Sequence, residues 1–304
     1  MKPEILAPVG GDEQLIAAVR SGADAVYLGT KNMNARRNAS NFDAEELKKA
    51  VAYSHAHNVK VYVTLNTLLF DDELPLLLDE LKSVCEAGAD AFIVQDLAVA
   101  KLAKETCPEI ALHGSTQMSV HNVWGVQALK EMGFERVVLA RELSLEEIKT
   151  IKKSVPDMQL EVFVHGALCM SVSGICYLSA MIGERSGNRG LCAQPCRLDF
   201  KCKNRDYALS LKDMSYISRI EELEKIGVDS FKIEGRMKRP EYVAAAVDAC
   251  QKAINKEYAD VETLKAVFSR SGFTDGYLTG KRNLNMFGHR TKEDVQAASG
   301  VLKK

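Results

Sequence analysis

The feature that most constrains the fold is an alternation of short apolar, β-branched runs with charged, amphipathic segments. Nearly continuous apolar runs of roughly four to eight residues are typical of parallel strands buried on both faces. Eight runs of this kind predict strands at residues 5–9, 25–29, 61–66, 91–95, 110–113, 136–141, 160–165 and 230–234. Because eight strand–helix units are what a (β/α)8 barrel requires, we predict an α/β fold of the TIM-barrel type.

Helix start and stop signals lie between these runs. Asp43 and Ser144 are each followed three residues later by a glutamate, the pattern of a capping box. A repeated phrase, Gly-Ala-Asp-Ala in residues 22–25 and 88–91, places a helix-ending glycine directly before a strand. A doubly wound open sheet is the alternative fold, but Val9-Gly-Gly-Asp12 matches its glycine-rich phosphate turn poorly. The barrel is therefore the favoured prediction.

Two segments depart from the repeat. Between the seventh and eighth strands lies a cysteine-bearing insertion, residues 167–228, which is longer than an ordinary connection. After the barrel, residues 1–257, comes a helical and turn-rich extension, residues 258–304. We interpret the extension as a C-terminal cap or as the lead-in to a further domain.

Composition excludes several classes of protein. The sequence holds 40 Lys and Arg against 41 Asp and Glu, which argues against a protein that coats nucleic acid. It is 46% hydrophobic, too apolar for a disordered chain, yet no apolar run approaches the roughly 18 residues that span a bilayer. The apolar start is too short for a signal peptide. These features predict a cytoplasmic protein without a membrane partner, whose eight cysteines serve as thiols, metal ligands or catalysts rather than disulfides.

Polar residues at the strand ends are the first candidates for a site, because reactive groups of these barrels lie at the C-terminal ends of strands. Arg141 and Arg236 suggest a carboxylate-bearing ligand, since a guanidinium binds a carboxylate at two points. The alternative for any one of them is an ordinary strand end that meets solvent. The predicted catalytic residues are Arg141, His165, Glu234 and Arg236, and the predicted substrate-binding residues are Asn66, His113, Gln117, Arg141, Glu142 and Arg236, with Gln95 and Asp96 as further strand-end candidates.

Four thiols follow the seventh strand. Cys169, Cys176, Cys192 and Cys196 have the spacing C-x6-C-x15-C-x3-C. Thiolates select zinc, copper(I) or an iron–sulfur cluster, and the wide first pair fits a cluster better than structural zinc. The pattern leaves three hypotheses open, in which these cysteines bind a cluster, bind zinc or are inert buried thiols.

The segment around these thiols resembles the signature of peptidase family U32, the collagenase-like peptidases. The resemblance rests on residues 161–179, which read Glu-Val-Phe-Val-His-Gly-Ala-Leu-Cys-Met-Ser-Val-Ser-Gly-Ile-Cys-Tyr-Leu-Ser. It extends over nearly the whole chain, through residues 4–10, 22–29, 115–117, 141–144, 189–197 and 232–238.

Membership of this family would imply two kinds of activity. Its members are traditionally named peptidases, whereas others are oxygen-independent hydroxylases of RNA bases that carry a 4Fe-4S cluster on cysteines. The RNA-acting members use prephenate, a dicarboxylate, to hydroxylate the tRNA wobble uridine or an rRNA cytidine. The resemblance assigns the cluster to Cys169, Cys176, Cys192 and Cys196, with Cys202 a nearby alternative for the fourth ligand. Longer members carry a C-terminal β-barrel after a segment like residues 272–277, so a missing domain or a partner subunit is also implied.

Three functions are therefore compared. The first is hydroxylation of a tRNA or rRNA base, for which residues 181–205 offer six basic and two acidic side chains, including the predicted RNA contacts Arg185, Arg189 and Arg197. A solvated loop is the alternative explanation of that charge. The second function is a peptidase that uses Cys169 with His165, although no third orienting group is evident. The third is a non-catalytic RNA-binding subunit that uses a metal for folding.

Overall fold

Eight parallel strands close into a barrel in the computed structural model, which describes residues 2–36, 39–172, 175–267 and 269–301. The side chains of 297–301 lie outside this description. Neighbouring strands pair in the order β1 to β7, and β9 closes the barrel by pairing with both β7 and β1. The barrel strands are β1 (Glu4–Pro8), β2 (Ala25–Gly29), β3 (Lys60–Leu65), β4 (Ala91–Val94), β5 (Ala111–Gly114), β6 (Arg136–Val138), β7 (Gln159–Gly166) and β9 (Ser230–Ile233). The predicted (β/α)8 fold is confirmed.

Helices follow the barrel strands and cover the outside of the barrel. The helices are α1 (Asp12–Arg20), α2 (Ala44–Ala56), α3 (Leu74–Ala87), α4 (Leu97–Thr106), α5 (Val123–Glu131), α6 (Leu145–Ser154), α8 (Ile220–Ile226) and α9 (Pro240–Ile254). Both predicted capping boxes form, so Asp43 and Ser144 accept backbone N–H groups three residues ahead. Gly88 and Gly227 end α3 and α8 with φ of +77° and +87°, the left-handed conformation that glycine adopts at least cost. Within the described ranges, no helix is long and apolar enough to cross a bilayer.

The main apolar core lies between the strands and the surrounding helices, while the barrel interior contains a layer of buried charges. Glu161 is fully buried and accepts hydrogen bonds from Lys232 at 2.7 Å and from Arg136 at 3.3 Å. Arg136 also pairs with Glu4. Because each charge in this layer has an opposite partner, the layer closes the floor of the barrel without an uncompensated ion.

The segment between β7 and β9 holds α7 (Leu178–Gly183) and a short strand, β8 (Asp213–Ser215), before α8. The end of β7 pairs antiparallel with β8, and β8 pairs with β10 (Phe273–Thr274) of the C-terminal extension. α10 (Val261–Val267) and α11 (Lys292–Val301) flank β10 in sequence. A buried ion pair between Arg270 and Asp213 also joins the extension to the insertion. Whether residues 1–257 and 258–304 are separate domains stays a prediction.

Candidate active site

Three arginines surround one carboxylate at the barrel mouth, by which we mean the face formed by the C-terminal ends of the eight strands. Glu234, directly after β9, accepts a hydrogen bond from Arg141 at 3.1 Å and another from Arg36 at 3.0 Å. Arg236 lies two residues further on and donates to Thr64 Oγ1 at 2.9 Å. The structure thus brings together three of the four predicted catalytic residues, Arg141, Glu234 and Arg236.

The charges of this group do not cancel. Three guanidiniums face one carboxylate, a net charge of +2. Burial by itself would raise the pKa of Glu234, but the charges of Arg36, Arg141 and Arg236 outweigh burial and lower that pKa to about 2. Burial and the neighbouring Arg36 lower the pKa of Arg236 to about 10, so it remains a cation at neutral pH. Since buried positive charge is costly without an anion, this site favours an anionic ligand.

The loop after β2 is held so that Arg36 can reach Glu234. Asn66 accepts the backbone N–H of Ala35 at 3.1 Å, which ties the loop to the end of β3. Gly29 at the end of β2 has no side chain, and a β carbon there would lie only 2.6 Å from Arg236 Nη1. Asn66, a predicted substrate-binding residue, thus positions the loop that carries Arg36. The Arg36 side chain remains 36% exposed.

Within the described part of the chain, this end of the barrel contains buried polar atoms without a hydrogen-bond partner, and two of them belong to predicted site residues. One is Nε of Arg141 and the other is Oε1 of Gln117, a predicted substrate-binding residue after β5. The neighbouring Gln95 is occupied, because its amide donates to Gln117 O at 3.2 Å and accepts from Asn188 at 2.6 Å. Unpartnered buried polar atoms cost free energy, so a ligand that supplies their partners would be stabilised here.

The two histidines predicted for the site do not lie at its surface. A register shift between Phe163 and His165 in β7 interrupts the alternation of its side chains, and the His165 ring packs against Tyr242 of α9 and Phe273 of β10. Its ring therefore lies among aromatic side chains outside the barrel, and burial lowers its pKa to about 3. His113 lies within the barrel with its ring edge on Tyr62, and burial lowers its pKa as well.

The remaining strand-end candidates make local contacts. Asp96 caps α4 and also accepts the backbone N–H of Leu69. The backbone carbonyl of Glu142 accepts from Arg282 at 3.3 Å, which places this residue beside the C-terminal extension. Neither contact indicates a role in binding substrate.

The four predicted cysteine ligands lie on the segment that follows β7, here called the cysteine segment (residues 169–196). Gly187 lies close to two of them. A β carbon at this position would be 3.5 Å from Cys176 O and 3.8 Å from Cys192 Cβ. Burial raises the pKa of the Cys196 thiol, and the charges of Cys169 and Cys192 add to that rise. All four are free thiols, and Cys202 is a fifth, exposed one.

Backbone and hydroxyl groups donate to the sulfurs. Leu178 N–H lies 3.4 Å from Cys176 Sγ, and Gln194 N–H lies 3.3 Å from Cys192 Sγ. Such donors stabilise thiolates and tune metal–thiolate centres, so the donor set fits an iron–sulfur cluster or zinc in kind. Across the described ranges, however, no three His, Cys, Asp or Glu side chains are grouped closely enough to hold a metal ion. The cluster stays a prediction.

The arginines predicted to contact RNA are engaged within the protein. Arg197, which directly follows the cysteine segment, donates to the carbonyls of Leu168 and Leu211 and so connects the end of β7 to the residues just before β8. Arg189 forms an ion pair with Glu73 and donates to Leu68 O. Arg185 donates through Nε to Leu191 O at 2.9 Å. These contacts give all three residues structural roles, while contact with RNA stays a prediction.

Sequence reasoning missed Arg36, Asn34 and Asn188. Arg36 and Asn34 lie in the loop after β2, seven and five residues past the strand end, beyond the positions that the strand-end rule marks as candidates. The basic Arg36-Arg37 pair in that loop was the available signal. Asn188 reaches Gln95 from the cysteine segment, a contact of 93 residues' separation that no local pattern encodes.

The fold and the site together define a (β/α)8 barrel with an arginine-rich mouth flanked by thiols. Within that class, the sequence model described as Peptidase family U32 matches residues 10–287, and the chain belongs to this family. The resemblance found in the sequence is confirmed.

Curated relatives have two kinds of name. The chain is 40% identical over 275 residues to "tRNA hydroxylation protein P1" of Bacillus subtilis, covering 86% of this chain and 65% of that protein. It is 36% identical to "Collagenase" of Porphyromonas gingivalis, covering 98% of this chain and 80% of the relative. It is 40% identical to "23S rRNA 5-hydroxycytidine C2501 synthase" of Escherichia coli, covering 79% of this chain and 37% of the relative. The chain thus spans about two thirds of the Bacillus protein and little more than a third of the Escherichia one.

A solved structure supports the fold. It is described as a U32 peptidase and superposes with a TM-score of 0.55 at 13% identity, covering 79% of this chain and 95% of the other. At this identity the likeness shows the barrel and not the reaction.

Proposed function

We propose that the chain carries out the oxygen-independent hydroxylation of an RNA base, with the tRNA wobble uridine as the first candidate and an rRNA cytidine as the second. Relatives named for tRNA hydroxylation and for 5-hydroxycytidine synthesis support the RNA substrate. The observation that carries the proposal is the +2 group of Arg36, Arg141, Arg236 and Glu234. Arg141 of this group also donates to Ala167 O at 3.0 Å, two residues before the first of the four thiols. An anionic co-substrate of the prephenate type fits that charge.

The residues of the mouth would each act on such a dicarboxylate. The guanidinium of Arg236 is held in place by its hydrogen bonds to neutral partners, Thr64 and Asn34. Among the described contacts, no carboxylate is hydrogen-bonded to it. Arg141 offers its unpartnered Nε. Glu234 orients Arg36 and Arg141 and limits how much negative charge the site accepts.

Cys169, Cys176, Cys192 and Cys196 would hold the 4Fe-4S cluster of this proposal, or zinc in the alternative. A bound cluster would supply one-electron transfer. The chain's own groups would supply the N–H donors of Leu178 and Gln194 to the sulfurs. Protein purified without oxygen should then contain iron and sulfide, and Cys176→Ser should lose most of both. Zinc alone in the untreated protein would refute the cluster.

Calorimetric titration of prephenate tests the co-substrate. Arg236→Lys keeps the charge but loses the two-point geometry, and we expect at least tenfold weaker affinity, since each charge-assisted hydrogen bond contributes about 1.5–3 kcal/mol. Arg282→Lys is the matched control, because this side chain is more than half exposed and lies beside Glu142, outside the arginine group formed by Arg36, Arg141 and Arg236 around Glu234. Equal affinity in wild type, Arg236→Lys and the control would refute dicarboxylate binding at this site.

The peptidase function remains the second candidate because of the collagenase relative. His165 is its weakest point, since the ring packs on Tyr242 and Phe273 and, among the residues that the structure describes, its Nδ1 has no hydrogen-bond partner. A thiol protease needs a base within hydrogen-bond reach of the sulfur. Peptide hydrolysis that Cys169→Ala abolishes, and that removal of iron leaves unchanged, would favour this function. RNA binding without either activity would favour the third function, a non-catalytic subunit.

A further inference from the structure

Exposed apolar side chains are concentrated on the barrel mouth. Phe70 is 67% exposed in the β3–α3 loop, Trp124 is 79% exposed in the first turn of α5, and Tyr177 is 75% exposed just before α7. Leu68, Leu97, Met181 and Met237 add to them on the same face, and we call these seven residues the apolar rim. Many exposed apolar side chains on one face of a protein are typical of an interaction site.

Each aromatic residue of the rim is attached to a fixed backbone. The Phe70 loop is held by Asn188, which accepts Leu68 N–H at 2.9 Å, and by the Arg189 contacts to Leu68 and Glu73. Trp124 lies on a helix whose N-cap Asn122 accepts Gly125 N–H at 2.8 Å. Next to Tyr177, Leu178 N–H donates to Cys176 Sγ. The rings are therefore presented to solvent by supported segments.

The position of the rim follows from topology. Phe70, Trp124 and Tyr177 come after β3, β5 and β7, and the C-terminal ends of parallel barrel strands lie on one face. The three rings thus surround the opening that leads to the arginine group. By contrast, the exposed Met132 and Tyr258 follow the C-terminal ends of α5 and α9, at the opposite face.

We propose that the apolar rim binds unpaired nucleotides of an RNA, with Phe70, Trp124 and Tyr177 each stacking on a base next to the one that enters the mouth. The proposal rests on the hydroxylation of an RNA base proposed above, and it specifies single-stranded RNA as the form that binds. Flat aromatic rings stack on bases of any sequence, and single strands expose those bases whereas duplexes do not.

Charge distinguishes RNA from an apolar protein partner. The opening inside the rim carries the +2 group of Arg36, Arg141, Arg236 and Glu234. At the rim itself, the Arg189 guanidinium lies 5.5 Å from the centre of the Phe70 ring. Arg189 is itself paired with Glu73, but the segment that carries Tyr177 continues into residues 181–205, which hold six basic and two acidic side chains. Aromatic rings beside this basic segment, above a positive cavity, are complementary to bases joined by phosphates.

The sequence contains a reporter for this contact, because Trp124 is its only tryptophan. The protein is titrated with an unstructured RNA of about 10 nucleotides, a length within the site sizes of stacking proteins, and with a duplex of the same length. Affinity is measured in parallel by the anisotropy of a dye on the RNA. We expect the single strand to quench Trp124 emission on binding and the duplex to bind more weakly and leave emission unchanged.

Variants test the stacking directly. Phe70→Ala, Trp124→Ala and Tyr177→Ala should each weaken single-strand affinity by about fivefold to a hundredfold, the range found for base–aromatic stacking. Trp124→Phe should retain most of it. The matched control is Tyr258→Ala, which removes an equally exposed ring, 81% accessible, from the opposite face. Circular dichroism and iron content, compared with wild type, exclude a folding defect.

The outcomes separate this proposal from the proposed function. If RNA binds without changing Trp124 emission and with equal affinity in all variants, the stacking role of the rim is refuted, while the proposed RNA hydroxylation is not. Preference for the duplex would do the same. No binding of either RNA would refute the RNA function itself, and the rim with it. The rim would be assigned to a protein partner instead if the wild type bound a protein but no RNA, and if Tyr177→Ala and Trp124→Ala each abolished that protein binding.

Discussion

Glu234 sets the charge balance of the barrel mouth. It is the one carboxylate that the described contacts place on Arg36 and Arg141, at 3.0 and 3.1 Å. Its side chain is only 13% exposed, so the two ion pairs are weakly screened by solvent. Removing the carboxylate would leave buried guanidiniums without an anion. The free-energy cost of this change exceeds the net stabilisation that the ion pairs provide.

Glu234→Gln should lower the free energy of unfolding by about 3 kcal/mol at pH 7. The pKa of Glu234 is lowered to about 2 in the folded protein, so its contribution is complete above the unfolded value of 4.5 and is lost as pH falls towards 2. Urea unfolding at pH 7, 4.5 and 3.5 should show the gap to wild type narrowing below pH 4.5. Glu131→Gln, at an exposed helix end, is the control. A gap that is constant with pH would contradict the ion pairs.

His165 is a residue whose chemistry is set by burial rather than by a partner. It is 1% exposed, and burial lowers its pKa to about 3. The folded protein therefore keeps this imidazole neutral at pH values where the unfolded chain, with a pKa of 6.5, binds a proton. Stability that depends on neutral His165 is complete above pH 6.5 and is lost as pH falls towards 3.

His165→Phe should flatten the acid side of the stability profile. Between pH 7 and 5.5, the free energy of unfolding of wild type should fall by about 1.4 kcal/mol more than that of the variant. The unfolded chain takes up one more proton over roughly one pH unit of this range, and one pH unit corresponds to that amount. Each protein is compared with itself at the two pH values in urea unfolding, so any packing cost of phenylalanine cancels. Parallel profiles would show that His165 titrates in the folded state and would reopen its role as a base.

At the scale of elements, the end of β2 and its loop build one side of the site. A side chain at Gly29 would displace Arg236 and Asn34, whose nearest atoms lie 2.6 and 2.8 Å from the β carbon position. These are distances that require one of the groups to move. The strand therefore has to end in glycine for the loop and the arginine to meet.

Gly29→Ala should destabilise the protein by about 1–3 kcal/mol, the usual cost of overpacking, and should weaken prephenate binding together with it. Gly183→Ala is the matched control, because no described residue other than its chain neighbours and helix backbone lies within 4 Å of its β carbon position at the end of α7. Thermal unfolding and calorimetry of both variants compare the two effects. Full prephenate affinity in Gly29→Ala would mean that Arg236 does not bind the ligand.

The sequence allows the regular elements to be predicted because their signals are local. Capping boxes at Asp43 and Ser144 form as predicted, and glycines such as Gly88 end helices before strands. The strand β8 was not predicted, since it is three residues long and is formed by pairing with β7 and β10. Arg141, Glu234 and Arg236 were found at strand ends, whereas Arg36 reaches the site through a loop contact across 198 residues. The rotation of His165 out of the barrel follows from a register shift that alternation rules do not foresee.

At the scale of the whole molecule, the C-terminal extension is attached to the barrel both through the insertion and by direct contacts. β10 pairs with β8, and β8 pairs with the end of β7. Leu145 N–H at the start of α6 donates to Leu278 O at 2.9 Å. Asp213 is 1% exposed and Arg270 is 8% exposed, so their ion pair is desolvated at the point where the extension meets β8. This pair is the strongest single test of whether the extension folds with the barrel.

Arg270→Ala should destabilise the molecule by about 3–5 kcal/mol, because it leaves the buried Asp213 carboxylate without its hydrogen-bonded cation. Arg219→Ala, which breaks half-exposed pairs with Glu222 and Asp275, is the matched control and should cost less than about 1 kcal/mol. If barrel and extension unfold as one unit, calorimetry should show a single transition that moves down in Arg270→Ala. An independent extension would instead give a separate early transition, with the barrel transition unmoved. Double substitution of Arg270 and Asp213 by Leu and Ala should recover part of the loss, since no buried charge then remains.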